Sequence, residues 1–402
     1  MSTCCSCRGD LTTVLDLGSH YLADFIEPGE SRGERYPLQL AMCQFCTLLQ
    51  LQDVVPRGAV IHERYGFKSG VNEAEVADLA EIAEYALEQV PRPRAWLDIG
   101  CNDGTLLAAV PPQTERTGID PVAKFAPDAR RHADQVITGW FSPALFSPGE
   151  FDVITSAAML YAVPEPVTFA GGVAEILARD GAWVIQVNYT LDMLRNNVAD
   201  NIFHEHVTYF TVRSLAGVLA RAGLQIFDVT YSPVKGGCIR VAAGHRGAHP
   251  VSAAVKEAWA AEHDSRIARP ATWQDWGTAV RAQLAKTRAL ALDVKARGER
   301  IYVYGASTRG GTFLQMIGAG PDLFPFAVER YAPKVGKIMA STGIPIISEE
   351  QMRADPPEYL LISPWPFRDV FLQREKAYLD AGGRFVFPLP HFEVTGGVPL
   401  PA

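Results

Sequence analysis

The sequence has 402 residues, more than one ordinary hydrophobic core supports, and 48% of them are apolar, so two or three domains are expected. The formal net charge of -8 shows no basic excess, which argues against nucleic acid or an anionic membrane as the main partner. The N-terminal residues lack a basic start and an apolar run, and no later stretch is long and apolar enough to span a bilayer. The sequence therefore predicts a soluble, globular, cytoplasmic protein.

Two C-x-x-C pairs stand near the N-terminus, Cys4 with Cys7 and Cys43 with Cys46. Four thiolates suit tetrahedral zinc, and because they leave no open coordination position, the metal would be structural. A redox or iron-sulfur site is the less favoured alternative, and Cys5 has the wrong spacing to replace Cys4. Residues 1–70 otherwise carry short apolar runs without a helical period, which predicts a small β-rich, zinc-binding N-terminal module.

A second module is expected over residues 71–243. Its first segment, 71–90, carries apolar residues at three- and four-residue steps, which predicts an amphipathic helix. The following strand-like segments are 95–99, 116–119, 151–156 and 183–187, and the helix-like segments are 105–110, 122–132 and 167–178. Such alternation predicts a parallel sheet covered by helices. A helix over 212–222 and an antiparallel pair of strands, 224–231 and 238–243, are expected to close it.

Residues 244–402 are expected to form a helical linker and a second α/β domain. Two linker helices are predicted between 251 and 297, with a break at Pro270. Further strands are predicted at 301–304, 326–328, 359–363 and 384–387, and a helix at 366–381.

Residues 98–105, Asp-Ile-Gly-Cys-Asn-Asp-Gly-Thr, stand where a strand should turn into a helix, and the two glycines allow the backbone to approach a ligand. Asp98 or Asp103 can hold a cationic amino-acid group. Asp120 follows Asp98 at the spacing of acids that bind ribose hydroxyls in nucleotide-binding α/β folds. These features favour S-adenosylmethionine. A dinucleotide remains the alternative, although the glycine pattern departs from G-x-G-x-x-G.

The segment Phe203-His204-Glu205-His206 follows a core strand, in a region that borders the cofactor cleft of open α/β folds. An imidazole can remove a proton near neutral pH and a neighbouring carboxylate can orient it, so His206 with Glu205 is a plausible general base. The spacing does not fit the H-E-x-x-H zinc motif. Solvated histidines at the edge of an element are the alternative interpretation.

Residues 305–312 follow a predicted strand and open a helix, where backbone amides can hold an anion and Arg309 can supply charge. Gly311 occupies the lysine position of a P-loop, so nucleotide hydrolysis is not expected. A substrate diphosphate fits better, with a purely structural turn as the alternative. Glu329 could act as a ribose-binding acid, which leaves an NAD site open.

The order of these parts resembles the sugar C-methyltransferase family, whose members methylate nucleotide-linked 4-keto-deoxysugars, mostly in antibiotic or surface-glycan pathways. The resemblance covers almost the whole chain. It rests on the paired cysteines and on residues 98–104, 203–206, 236–240, 304–310 and 364–367. It implies a class I, Rossmann-like S-adenosylmethionine methyltransferase domain between the zinc module and a C-terminal Rossmann-like domain.

The resemblance also implies roles for individual residues. His206 would remove a proton beside the ketone, Glu205 and Tyr65 would assist the proton transfer, and the enolate carbon would then attack the methyl group. His204 is a further catalytic candidate. The candidate cofactor-binding residues are Asp98, Gly100, Asn102, Asp103, Gly104 and Asp120. The candidate substrate-binding residues are Lys68, Ser69, Lys235, Arg240, Ser307, Thr308, Arg309 and Trp365.

The sequence departs from the family pattern at three positions. Phe203 and Phe67 stand where many members carry tyrosine, and Arg309 stands where lysine is common. The alternatives are a methyltransferase of the same fold that acts on oxygen or nitrogen of another small molecule, and a zinc-bearing binding protein without turnover. The expected partner is a nucleotide-sugar substrate, and the expected assembly is a monomer or a homodimer.

Overall fold

The computed structural model describes residues 3–396, which form two compact units. The first unit contains the chain up to Val14, Leu40–Asp192 and Glu205–Thr272. The second contains Leu15–Gln39, Met193–His204 and the chain from Trp273 onward. No helix between residues 3 and 396 has both the length and the hydropathy to cross a membrane.

The N-terminal part is rich in strands, as predicted. The strands are β1 (Leu11–Tyr21), β2 (Phe25–Ile26), β3 (Arg35–Cys43) and β4 (Leu49–Leu51), and the short helix α1 (Arg57–Val60) follows them. Strands β3 and β4 pair antiparallel next to β1. This part of the chain places the two cysteine pairs close together.

A seven-stranded sheet forms the centre of the first unit. The helices and strands from residue 73 to residue 245 are, in chain order, α2 (Glu73–Gln89), β5 (Ala95–Ile99), α3 (Thr105–Ala108), β6 (Glu115–Asp120), α4 (Ala126–Ala129), β7 (Gln135–Thr138), β8 (Phe151–Ala157), α5 (Pro166–Ile176), β9 (Leu177–Asn188), α6 (Thr190–Arg195), β10 (Thr208–Tyr209), α7 (Val212–Arg221), β11 (Leu224–Ser232) and β12 (Cys238–His245). The strand order is β11-β12-β9-β8-β5-β6-β7, while β10 pairs with β4 in the N-terminal sheet.

The predicted parallel sheet and its antiparallel close are confirmed. Strands β5 to β9 run parallel, and β12 pairs antiparallel with both β9 and β11. The sequence interpretation missed β7, a short edge strand without a fully buried residue. It also placed the start of β9 too late, because the polar residues 179 and 180 interrupt the apolar pattern.

Helix α2 covers one face of this sheet and forms as its sequence predicts. The side chain of Asn72 accepts a hydrogen bond from the amide of Ala74, and Glu73 and Glu75 lie in the first turn, where the helix dipole favours acids. Further along the helix, Leu79 and Ile82 are buried in the core. The anchored helix fixes the polar side chains that it directs toward the sheet.

The two predicted linker helices are confirmed as α8 (Ala253–Asp264) and α9 (Pro270–Ala296). The remaining elements are β13 (Ile301–Tyr304), α10 (Thr308–Met316), β14 (Ala327–Glu329), β15 (Ile338–Met339), β16 (Ile346–Ser348), α11 (Glu349–Ala354), β17 (Tyr359–Ile362), α12 (Arg368–Arg374), α13 (Lys376–Asp380), β18 (Arg384–Phe387) and β19 (Glu393–Gly396). They form a sheet of order β16-β14-β13-β17-β18-β19, in which β19 is antiparallel, and β15 pairs with β2.

The prediction of one helix over 366–381 is wrong, because the helix breaks between α12 and α13 at Glu375. The carboxylate of Glu375 is buried and accepts hydrogen bonds from the Tyr304 hydroxyl at 2.7 Å and from Arg353. Burial raises the pKa of this carboxyl group. The hydrogen bonds from Arg353 and Tyr304 together lower the pKa by more than burial raises it, so the net pKa lies below its ordinary value of 4.5. A long-range ion pair therefore overrides the local helical pattern.

Replacing Glu375 by alanine is expected to lower the free energy of unfolding by about 2–3 kcal/mol, less than for a fully buried pair because Arg353 can still reach water. A carboxyl group with a lowered pKa stabilises the folded state above its unfolded pKa. The difference in melting temperature between wild type and Glu375→Ala should therefore shrink as the pH falls below 4.5.

The matched control is Asp380→Ala in α13, which removes an exposed i, i+4 pair with Lys376. Its effect should stay below ~0.5 kcal/mol. Equal losses for the two variants, or a pH-independent loss for Glu375→Ala, would contradict this account.

Candidate active site and metal centre

The sulfur atoms of Cys4, Cys7, Cys43 and Cys46 all lie within 4.8 Å of one another. The shortest separations are 3.5 Å between Cys4 and Cys46 and 3.4 Å between Cys7 and Cys43. Four thiolates at such distances fit a tetrahedral zinc ion and leave no position for a substrate. Cys5 is not one of these four, although its thiol forms a hydrogen bond with Cys4, and its backbone amide donates to the side chain of Gln50.

The backbone around both cysteine pairs is shaped for a metal. After each pair a residue with positive φ, Arg8 at 64° and Thr47 at 60°, donates its amide to the carbonyl of the first cysteine. Backbone amides also point at the sulfur atoms of Cys4 and Cys43 at 3.3–3.5 Å. Such amides stabilise thiolate charge, so the two turns have the donor arrangement of a closed zinc site.

The predicted cofactor loop lies at the carboxyl end of β5. Gly100, Asn102 and Gly104 all have positive φ, and a Cβ atom on Gly104 would lie 2.8 Å from the backbone of Ala129. The loop is fixed by Asp120 at the end of β6, whose carboxylate accepts the amides of Asn102 at 3.0 Å and Val122 at 2.8 Å. Asp98 near the end of β5 and Asp120 at the end of β6, two of the three acids predicted to bind cofactor, thus lie on either side of this turn.

Asp98 is almost completely buried at 3% exposure, and its carboxylate accepts a hydrogen bond from the Thr155 hydroxyl at 2.7 Å. Burial and, to a smaller extent, the charge of Asp120 raise the pKa of Asp98, while the Thr155 bond lowers it, and the net pKa is about 7. Burial likewise raises the pKa of Asp120. A cationic ligand beside the turn would favour the ionised form of both groups.

The side chains of Asn102 and Asp103 attach the preceding segment to this loop. Asn102 accepts from the Ser69 amide at 3.1 Å and donates to the Phe67 carbonyl at 3.1 Å, and Asp103 accepts from the Gly70 amide at 2.9 Å. Residues 67–70 thereby follow any displacement of the loop. The two side chains predicted to bind cofactor are already used in positioning this segment.

Tyr65 lies just before that segment, and its hydroxyl forms a hydrogen bond with Glu205. Burial and the charge of Glu205 raise the pKa of Tyr65 well above its ordinary value, so the phenol stays protonated near neutral pH. His206 is buried, and its ring lies 3.9 Å, centroid to centroid, from the ring of Tyr161. Three of the four predicted catalytic residues, Tyr65, Glu205 and His206, belong to the first unit.

His204 belongs to the second unit and has different surroundings. Its Nε2 atom lies 3.3 Å and 3.2 Å from the carbonyl oxygens of Tyr36 and Pro37. Burial lowers the pKa of His204, which keeps the ring neutral near pH 7. These contacts give His204 a role in holding its own segment, and its catalytic role stays a prediction.

The basic residues predicted to bind substrate in the first unit all have acidic partners. Lys68 pairs with Asp128 at 2.7 Å and Lys235 with Glu75 at 2.6 Å. Arg240 is buried and pairs with Asp78 and Glu81, and Gln186 accepts from its Nε atom. Arg240 therefore links β12 to helix α2, and a substrate would have to compete with this network.

In the second unit, Ser307 caps helix α10 by accepting the amide of Gly310 at 2.9 Å, and Thr308 is the first residue of that helix. Arg309 and Trp365 both donate to the carboxylate of Asp200. Glu329 accepts the amides of Arg330 and Tyr331. The predicted substrate-binding residues of this unit thus lie around the start of α10.

The sequence analysis did not include Tyr161 and Asp200 among the candidate site residues. The ring of Tyr161 contacts the ring of His206 in a tilted arrangement, and Tyr161 follows the carboxyl end of β8, a position where α/β folds collect functional side chains. Asp200 pairs with Arg309 across more than one hundred residues of sequence, and no local pattern indicates such a pair. Tyr161 could have been identified from the sequence, because it follows a predicted strand, whereas the pairing of Asp200 with Arg309 could not.

Comparison with known families covers most of the chain. Residues 4–60 match the family model of a zinc binding domain, residues 72–229 that of a methyltransferase domain, and residues 233–390 that of the C-methyltransferase C-terminal domain. The C-methyltransferase NovU of Streptomyces niveus is 30% identical over 397 residues, which is 95% of this chain and 93% of NovU.

Other relatives match smaller parts. The ubiquinone biosynthesis O-methyltransferase of Thiobacillus denitrificans is 27% identical over 165 residues, or 34% of this chain and 68% of that protein. The solved 1,6-didemethyltoxoflavin-N1-methyltransferase of Burkholderia thailandensis is 19% identical, with a TM-score of 0.35 over 42% of this chain and 79% of its own. An S-adenosylmethionine-dependent methyltransferase from Clostridium acetobutylicum is 13% identical, with a TM-score of 0.36 over 44% of this chain and 93% of that protein.

Replacing Cys46 by alanine should reduce the zinc content of the purified protein from roughly one ion per chain to near zero, because three thiolates no longer close the site. The melting temperature should fall with it. Metal analysis by mass spectrometry measures the content, and Cys5→Ala is the matched control that should keep its zinc. Full zinc content in Cys46→Ala would contradict the assignment.

Cofactor affinity should depend on the ionisation of Asp98. Because the pKa of Asp98 is raised to about 7, S-adenosylmethionine should bind roughly tenfold more weakly at about pH 6 than at about pH 8 if its cationic group lies near this carboxylate. Calorimetric titration of wild type and Asp98→Asn measures the effect. The same pH dependence in Asp98→Asn would show that another group is responsible.

Proposed function

Because the chain belongs to the sugar C-methyltransferase family and is an S-adenosylmethionine-dependent C-methyltransferase, we propose that its substrate is a nucleotide-linked 4-keto-deoxysugar. The methyl group would be added to the carbon next to the ketone. The nucleotide proposed is thymidine diphosphate.

The observation that carries the proposal is the group of Tyr65, Glu205, His206 and Tyr161 in the first unit. Methylation of oxygen or nitrogen can use a nucleophile that the substrate already has. Methylation of carbon beside a ketone needs a base, because the C–H bond must first lose its proton. A buried histidine that follows Glu205 directly in sequence, with the protonated phenol of Tyr65 bonded to Glu205, can supply that chemistry.

The proposed proton transfer begins at an imidazole nitrogen of His206, which takes the proton from the carbon beside the ketone. The carboxylate of Glu205 stabilises the resulting imidazolium ion, and the Tyr65 hydroxyl donates to Glu205 and keeps it oriented. The raised pKa of Tyr65 keeps that hydroxyl available as a donor. The electrons of the broken C–H bond move into the enolate, whose carbon becomes the nucleophile.

Asp98, Gly100, Gly104 and Asp120 are the residues proposed to hold S-adenosylmethionine, which supplies an electrophilic methyl group when bound. Asn102 and Asp103 would act indirectly, since they already hold residues 67–70. Lys68 and Ser69 lie in that held segment, and Ser307 and Thr308 lie at the start of α10. We propose Lys68 and Ser69 as substrate-binding residues of the first unit, and Ser307 and Thr308 as substrate-binding residues of the second.

The direct test is mass spectrometry of products from a panel of thymidine-diphosphate 4-ketosugars incubated with protein and S-adenosylmethionine. One member should gain the mass of a methyl group. The same sugar, incubated with protein in deuterated water without S-adenosylmethionine, should take up deuterium at the carbon beside the ketone. No methyl gain on any ketosugar would overturn the proposed substrate class.

His206→Gln should lower kcat by ~10²–10⁴-fold, the usual contribution of a positioned general base, while cofactor affinity stays near that of wild type. His263→Gln is the matched control, because the His263 side chain is 83% exposed and His263 is distant in sequence from the segment 203–206. His204→Gln distinguishes a second catalytic histidine from one that only supports its segment. Wild-type turnover in His206→Gln would contradict the assigned base.

A further inference from the structure

The second unit contains a buried ion pair that the proposed chemistry does not use. The guanidinium of Arg309 donates two hydrogen bonds to the carboxylate of Asp200, from Nε at 2.6 Å and from Nη2 at 2.9 Å. The indole nitrogen of Trp365 donates to the same carboxylate at 3.0 Å. With Asp200 only 3% exposed, these charge-assisted bonds are shielded from water.

The side of the pair that carries Arg309 has little freedom to move. Arg309 lies in the first turn of α10, one residue before Gly310. A Cβ atom on Gly310 would overlap the hydroxyl of Ser363, so this turn packs directly on the chain that leads to Trp365. The glycine is therefore required for packing, and Arg309 and Trp365 are held together by the fold.

Asp200, the acidic partner of the pair, is joined by a short stretch of chain to the proposed catalytic residues Glu205 and His206. Asp200 lies in the 3-10 helix Ala199–Asn201, followed by the buried residues Ile202 and Phe203. His204 comes next and is held by the carbonyls of Tyr36 and Pro37. Glu205 and His206 follow directly. Because every residue from Asp200 to His204 is buried, the segment has little slack to absorb a displacement.

We propose that Arg309 is a positioning residue for His206, which acts through Asp200 and the rigid segment behind it. The inference rests on the proposed function of His206 as the base. It differs from the role predicted in the sequence, in which Arg309 binds the substrate diphosphate. Bidentate pairing with a buried carboxylate uses the geometry that distinguishes arginine from lysine.

The two roles predict different kinetics. As a positioning residue, Arg309→Ala should lower kcat by ~10–100-fold, the loss expected when a catalytic group moves by about 1 Å, and leave KM for the nucleotide sugar within about threefold. Asp200→Ala should behave in the same way. The double variant should be no worse than the worse single variant, because both changes break one interaction.

Arg309→Lys should recover only part of kcat, since an ammonium group cannot replace the two-pronged bond. The matched control is Arg368→Ala, which removes an exposed ion pair with Glu393 in the same unit and should leave kcat and KM unchanged. A rise in KM at constant kcat for Arg309→Ala, without the same effect in Asp200→Ala, would overturn the proposal and favour the anion ligand.

A measurement without turnover separates this inference from the proposed function. Hydrogen–deuterium exchange, followed on a peptide that covers residues 199–208, should be faster in Arg309→Ala and in Arg309→Lys than in wild type. Faster exchange would support the positioning role even if no ketosugar were methylated. Unchanged exchange in both variants would overturn it, whatever the substrate.

Discussion

Between the end of β5 and the start of α3 the backbone passes through Gly100, Asn102 and Gly104 with positive φ, and the arrangement of the first unit depends on this turn. The carboxylate of Asp120 holds the turn by accepting the amide of Asn102. The Asn102 side chain in turn holds the Phe67 carbonyl and the Ser69 amide. One backbone geometry therefore fixes both the cofactor loop and the segment that follows Tyr65.

The electrostatics of the same region favour a positively charged ligand. Asp98 and Asp120 are desolvated acids close to one another, so that burial and mutual repulsion raise the pKa of Asp98. Glu205 adds a further negative charge beside the phenol of Tyr65. A sulfonium cofactor with an ammonium group would relieve this unfavourable concentration of negative charge. The cost of burying the acids is then recovered on binding, which is how a site can be preorganised for its ligand.

The sequence predicted those features that depend on local pattern. The apolar runs located β5 and β13, and the cysteine spacing located the four cysteines whose sulfur atoms lie together. Features set by distant partners were not predictable in this way. The helix break at Glu375 depends on Arg353 and Tyr304, and the environment of Arg309 depends on Asp200, which no periodicity or motif connects to it. The likeness to a known family supplied the role proposed for His206, because a histidine beside an acid is by itself ambiguous.

The central claim is that the methyl group forms a bond to carbon beside a ketone. It is tested most directly by carbon NMR of the product formed from S-adenosylmethionine with a ¹³C-labelled methyl group and a thymidine-diphosphate 4-ketosugar. The account predicts a labelled methyl carbon with one-bond coupling to the sugar carbon next to the ketone, in a sugar that is itself ¹³C-labelled. A labelled methyl carbon without one-bond carbon coupling, bonded instead to oxygen or nitrogen, would contradict it.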